Sequence, residues 1–129
     1  MGDTGGHAAP PRVLVVDDEP SIRLLCRVNL ELDGHEVLEA ETLEFARQAL
    51  AQGDIDVVIL DVHLHGERSD DLIPECHARR PPVPVVLVTG SADISLGGLS
   101  EADAILPKPF ELDALLSTVR TLAGVPAPG

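Results

Sequence analysis

Five side chains of this sequence could share one piece of chemistry: Asp17, Asp18, Asp61, Thr89 and Lys108. Each comes at or just after the end of an apolar run. Val13-Leu14-Val15-Val16 leads into Asp17-Asp18, Val57-Val58-Ile59-Leu60 into Asp61, Val85-Val86-Leu87-Val88 into Thr89, and Ala104-Ile105-Leu106 toward Lys108. Continuous apolar runs of this length read as strands buried on both faces, as in a parallel sheet. In an open α/β sheet such strands deliver their last residues to one edge, where ligand crevices form. Three carboxylates, a hydroxyl and an ammonium are therefore expected around a single crevice.

Such a crevice calls for a cation. Two carboxylates ~5 Å apart repel by roughly 3 kcal/mol at an effective dielectric near 20, and one lysine does not balance three of them. Hard oxygen ligands without histidine or cysteine among the acids select Mg²⁺, which takes one or two carboxylates and keeps waters that a phosphate can displace.

The elements that must position these groups alternate along the chain. Residues 1–11 form a Gly- and Pro-containing leader. After the first strand, Pro20 suits the first turn of a helix, preceded by acids that favour its positive end. Ile22, Leu25, Cys26 and Leu30 mark that helix's buried face, and Asp33-Gly34 ends it. Glu36–Ala40 is a weaker strand, placed near the sheet edge. The next helix starts near Thr42, with Leu43, Ala46 and Leu50 buried, widened by Phe45 and Ala49. After Asp61 comes a polar loop over 62–69. A poor helix follows, with Pro74 either in its first turn or kinking it, and it ends at Arg79-Arg80-Pro81-Pro82. A short helix over Ala92 to Leu99 is weakened by Gly97-Gly98, and the last helix carries Leu112, Leu115, Leu116, Val119 and Leu122. Five strands alternating with five helices predict a single-domain, doubly wound five-stranded parallel sheet over 12–123, with 124–129 a tail or the start of a linker.

Composition narrows the function. The 129 residues include no Trp or Tyr and carry a formal charge of −13, which disfavours direct nucleic-acid binding. Cys26 and Cys76 lack metal-ligand spacing and read as buried thiols. With no signal peptide pattern and no long apolar stretch, the expectation is a cytoplasmic chain away from membranes.

Taken together, Val-Val-Asp-Asp-Glu-Pro (15–20), Ile-Leu-Asp (59–61), Val-Thr-Gly (88–90) and Lys-Pro-Phe (108–110) resemble the motifs of the response-regulator receiver domain of two-component signalling. The resemblance implies a flavodoxin-like (βα)5 fold and a phosphorylation-driven switch. Asp61 would be the phosphoacceptor, fed by a sensor histidine kinase or phosphotransfer protein. Mg²⁺ would be held by Asp18, Asp61 and the backbone carbonyl of His63, with Asp17 acting through water. Thr89 would bond the phosphoryl group and Lys108 would pair with Asp61 and then with the phosphoryl oxygen. The chain would catalyse only its own phosphorylation and dephosphorylation. Its output would be a changed surface around residues 91–116, read by a downstream effector or a linked output domain. A homodimer through the last two helices is compatible with the pattern. A cis Lys108–Pro109 bond is also expected.

Three positions depart from the family pattern. Ile105 stands where an aromatic residue is common, so there is no ring to swing inward. His65, followed by Gly66, replaces a usual proline, which predicts a less rigid loop. His63 occupies the position whose side chain faces the phosphoryl group; it either affects phosphoryl lifetime or is a solvated loop histidine. His35 and His77 are expected at the surface. Two other classes fit the residues less well. A phosphorylation-independent interaction module would have dropped part of the acid, hydroxyl and lysine set. A flavin carrier would need a Ser/Thr/Gly phosphate cradle where Asp17-Asp18-Glu19 stands.

Overall fold

The computed structural model describes residues 10–90 and 101–124. The strands are β1 (Arg12–Val16), β2 (Glu36–Ala40), β3 (Val57–Asp61), β4 (His63–Leu64), β5 (Glu67–Arg68), β6 (Val85–Thr89) and β7 (Ala104–Pro107). The helices are α1 (Pro20–Leu32), α2 (Leu43–Gln52), α3 (Leu72–His77) and α4 (Leu112–Ala123). β2, β1, β3, β6 and β7 form, in that order, a five-stranded parallel sheet. The weak strand β2 is indeed at an edge, while β1, β3 and β6 lie inside and are buried along nearly their whole length.

Alternation along these strands builds two cores. Leu14, Val16, Val58, Leu60, Val85 and Leu87 face one side, where they pack with Ala46 and Leu50 of α2 and Leu72, Ile73 and Cys76 of α3. Val13, Val15, Val57, Ile59, Val86 and Val88 face the other, with Cys26 and Leu30 of α1 and Leu115 and Val119 of α4. A strand buried on both faces must be apolar at every position, which is why these runs are continuous. The helices on the second face are also joined by charge. Arg120 donates from Nε to Asp33 Oδ2 at 2.8 Å and from its terminal nitrogen to Oδ1, and this hydrogen bond, opposed by some burial, holds the Asp33 carboxyl below the usual range.

Most helix limits follow the reading. Thr42 caps α2 by accepting from the Phe45 N–H at 3.1 Å, and Gly124, at φ 75°, ends α4 in the left-handed conformation. Pro74 sits in the first turn of α3 rather than kinking it, but the helix stops at His77, before the arginines. The helix expected over 92–99 lies outside the described residues. Phe45 and Leu25 are outward, 49% and 40% exposed, because periodicity locates a helix's inner face but not how far its neighbours extend over it.

Two expectations are corrected. His77 is partly exposed and pairs with Asp103 at 2.7 Å, but His35 is buried, only 5% exposed. Gly34, at φ 91°, turns the chain directly from α1 into β2, and the His35 N–H bonds the Leu30 carbonyl at 3.0 Å. The ring is thereby drawn inward, its Nδ1 3.6 Å from Asp33 Oδ2. The polar loop after Asp61 also contains structure. β4 and β5 pair antiparallel, Leu64 opposite Glu67, across the two-residue turn His65-Gly66. Both turn residues have positive φ, 51° and 82°, the type I′ geometry that matches strand twist. The loop lacks proline's stiffness but is closed by a hairpin.

Truncation tests separate the sheet core from the exposed helix face. Leu14→Ala, at a position with no exposure, should cost about 3 kcal/mol in urea denaturation. Leu24→Ala, at a position 60% exposed, should stay within about 0.5 kcal/mol of the parent.

Candidate functional site

The carboxyl ends of β1 and β3 place the three acids together. Asp17 and Asp61 are buried, 3% and 7% exposed, and Asp18 is half-buried. One carboxylate oxygen from each lies within 4.8 Å of those of the other two. Lys108 follows β7, and its N–H bonds the Thr89 carbonyl at 2.7 Å. Its Nζ lies 3.1 Å from Asp61 Oδ2, 3.9 Å from Asp17 Oδ2 and 3.8 Å from Glu19 Oε1. The Lys108–Pro109 bond is cis, as expected.

Each acid is fixed by its own partners. The Glu19 N–H donates to Asp17 Oδ1 at 2.9 Å, and Arg23 donates to the Asp17 main-chain carbonyl at 2.7 Å. Asp61 Oδ1 accepts from the His63 N–H at 3.2 Å while Oδ2 accepts from Lys108. Asp18 Oδ2 accepts from the His65 N–H at 2.8 Å. Fully buried Ser69 donates its hydroxyl to the Asp61 main-chain carbonyl. Thr89, buried at the end of β6, turns its hydroxyl to the Gly90 carbonyl at 3.1 Å and not to the acids. Four of the five predicted side chains thus converge, and the fifth stands at the same edge with its hydroxyl otherwise engaged. Sequence reasoning missed Arg23, the His65 N–H and Ser69. Arg23 offers a faint signal, one helical turn after Pro20, whereas nothing local marks the other two.

Burial and neighbouring charge both act on the groups of this site. Burial, aided by the charge of Asp61 and opposed by the Glu19 N–H and Lys108, pushes the Asp17 carboxyl up to about 6. Burial pulls the Lys108 ammonium down, but its hydrogen bond to Asp61 and the charges of Asp61, Asp17 and Glu19 leave it above its ordinary value. Nearby, burial pushes the Cys26 thiol up to about 12, so it is inert at neutral pH. The donor set fits a hard divalent cation. Oxygens bound directly to Mg²⁺ at about 2.1 Å stand roughly 3 to 4 Å apart, and carboxylates spread over no more than 4.8 Å can meet it with two direct ligands and one through water.

A sequence profile of the response regulator receiver domain matches residues 13–120. This chain belongs to that family. Among curated relatives, the receiver is 36% identical over 121 residues to the C4-dicarboxylate transport transcriptional regulatory protein DctD of Pseudomonas aeruginosa, covering 87% of this chain and 25% of DctD. It is 35% identical over 128 residues to the transcriptional regulatory protein TcrA of Mycobacterium tuberculosis, covering 95% of this chain and 49% of TcrA. The receiver thus spans from a quarter to half the length of these relatives. Among solved structures it resembles the response regulator TrrA of Thermotoga maritima, crystallised with Mg²⁺ and BeF, at 34% identity and a TM-score of 0.78, over 87% of this chain and 98% of that one. The receiver domain of NtrX from Brucella abortus matches at 29% identity and a TM-score of 0.78, over 88% and 99%. The flavodoxin-like fold and the two-component assignment therefore stand, and the Asp17–Asp18–Asp61 group is consistent with a phosphoacceptor site. Among the described residues, no helix is long and apolar enough to cross a membrane.

The raised Asp17 carboxyl has a thermodynamic signature. Its folded pKa of about 6 lies above the ordinary 3.8, so folding favours the protonated form. That contribution is complete below about pH 4 and is lost as pH rises through about 6. In EDTA, the parent should lose up to about 2 kcal/mol between pH 4.5 and 7.5 relative to Asp17→Asn, measured by urea denaturation. A difference between the two that stays constant with pH would contradict the assignment.

Proposed function

We propose that Asp61 is the phosphoacceptor of this receiver, and that Asp17, Asp18, Thr89, Lys108 and the His63 carbonyl assist it. The observation that carries this reading is the position of Asp61, buried at the end of the central strand, 3.1 Å from the Lys108 ammonium and within one cation's span of two further carboxylates. A carboxylate oxygen of Asp61 attacks the phosphorus of a phosphohistidine on a sensor kinase or phosphotransfer protein. The P–N bond breaks, its electron pair returns to the imidazole, and an acyl phosphate remains on Asp61. Asp18, Asp61 and the His63 carbonyl would hold Mg²⁺, with Asp17 assisting through water, and the ion would supply charge neutralisation for the incoming phosphoryl oxygens.

The remaining residues follow the charge. Lys108 exchanges its bond to Asp61 for one to a phosphoryl oxygen. Thr89 gives up the Gly90 carbonyl to donate to another phosphoryl oxygen, and that rotation is the start of the signal. Ile105, 39% exposed, has no ring to follow the movement inward, so the changed surface is built from main-chain shifts near the β6 and β7 ends. Part of the surface predicted to change, residues 91–100, lies outside the described residues. The receiver turns over no other substrate and removes its own phosphoryl group by hydrolysis. Its reader is an effector protein or a linked output domain. The buried free thiols Cys26 and Cys76 support a reducing, cytoplasmic setting.

Intact mass after incubation with acetyl phosphate and Mg²⁺ tests the reading. The parent should gain one phosphoryl group. Asp61→Asn and EDTA-treated parent should gain none, and Lys108→Ala should react roughly 10²-fold more slowly. An Asp61→Asn variant that still gains one phosphoryl group would move the acceptor elsewhere.

A further inference from the structure

The β4–β5 hairpin and the residue after it reach positions at or just beyond the ends of β1, β2 and β3, and two of those positions are the cluster acids Asp18 and Asp61. Its turn residue, His65, donates its main-chain N–H to Asp18 Oδ2 at 2.8 Å, just beyond β1. The same residue's Nε2 meets the main-chain carbonyl of Glu41, just beyond β2, at 3.1 Å. A carbonyl only accepts, so Nε2 carries the proton there. On the exit side, the Ser69 hydroxyl donates to the main-chain carbonyl of Asp61 and its N–H to that of Val62 at 2.8 Å. Ser69 is fully buried, and its own carbonyl accepts from the Leu72 N–H at 3.0 Å, at the start of α3. The hairpin is therefore anchored at its turn and at its exit, and it grips Asp18 through the His65 N–H and Asp61 through the His63 N–H at 3.2 Å and the Ser69 hydroxyl.

We infer that this hairpin is a positioning element for phosphoryl transfer, with the His65 N–H holding the Asp18 carboxylate and the Ser69 hydroxyl holding the Asp61 main chain, so that the two acids keep their separation before any cation or phosphoryl group arrives. Three mutually repelling carboxylates would otherwise spread apart, and drawing them back would cost part of the binding free energy of the cation. The donors act on groups that must not move during the reaction, which is where preorganisation has most effect. The positive φ of His65, 51°, closes the two-residue turn that carries its N–H to Asp18. Proline is confined to φ near −65° and has no N–H, so it satisfies neither requirement. Ser69 acts through Asp61 and touches no reacting atom.

The inference rests on the phosphoacceptor reading, and the experiment separates the two. Parent, Ser69→Ala, Ser69→Cys, His65→Gly and His65→Pro receivers are compared for Mg²⁺ affinity by calorimetry. Their rates of phosphorylation by acetyl phosphate at saturating Mg²⁺ are followed by intact mass, with urea denaturation confirming that each is folded. Ser69→Ala should weaken Mg²⁺ binding several-fold and slow phosphorylation about tenfold even at saturating Mg²⁺, with Ser69→Cys, a weaker donor of similar size, between it and the parent. His65→Pro should weaken Mg²⁺ binding at least fivefold more than His65→Gly, which keeps the N–H and tolerates the backbone angle. If His65→Pro does not fold, the graded Ser69 pair decides alone. Ser69→Ala and Ser69→Cys matching the parent within twofold in both affinity and rate, while the parent is phosphorylated normally, would overturn the inference. A parent that binds no Mg²⁺ and takes no phosphoryl group would overturn the phosphoacceptor reading, and this inference with it.

Discussion

Crowding of like charge at one sheet edge is the constraint that the rest of this receiver serves. Asp17, Asp18 and Asp61 meet within a cation's span, two of them nearly out of reach of water. A single ammonium, Lys108, offsets them in part. Left to itself, such an arrangement would relax by spreading, by taking up protons or by admitting water. Burial, with a smaller push from the charge of Asp61, raises the Asp17 carboxyl in the direction of the second route. The first is limited at the level of the backbone: Asp61 ends β3 and Asp17-Asp18 follow β1, both strands locked between parallel neighbours.

The two-faced core provides that lock. Along β1, β3 and β6, successive residues point alternately into the two apolar clusters, so none of these strands can slide by one residue without turning both sets of side chains to the wrong face. Register fixes where each strand ends, and the strand end fixes where the acid stands. The helices cover the faces but contribute few site atoms themselves; Arg23, reaching from α1 to the Asp17 carbonyl, is an exception. Destabilised electrostatics at the rim are thus carried by stable packing beneath it.

Much of this was legible in the sequence because it is local. A run such as Val57 to Leu60 closed by one carboxylate states both the burial of the strand and the placing of its last side chain. The edge position of Glu36–Ala40 could be read from its interrupted apolar pattern. What escaped is what depends on packing or on a single backbone angle. The hairpin needs only two residues per strand and a turn made by His65 and Gly66, too short for any periodicity to register. His35 is polar, and nothing adjacent announces that Gly34 will send its ring inward. Phe45 and Leu25 have the spacing of core residues but lie beyond the edge of the face that α1 and α2 bury. The hydroxyl of Thr89 reaches the right edge, yet its rotamer is chosen by a carbonyl one residue away.

The fork between Arg120 and Asp33 joins residues 87 positions apart in sequence, and the apolar cluster beneath it needs Leu115 and Val119 as well as Cys26 and Leu30. During synthesis, α1 therefore emerges with its inner face facing a layer whose other half has not yet been made. The opposite face closes first, since α2 and α3 are encoded between the strands that they cover. Here α4 is the piece that completes the second face, so its arrival covers a layer that α1 alone leaves half open.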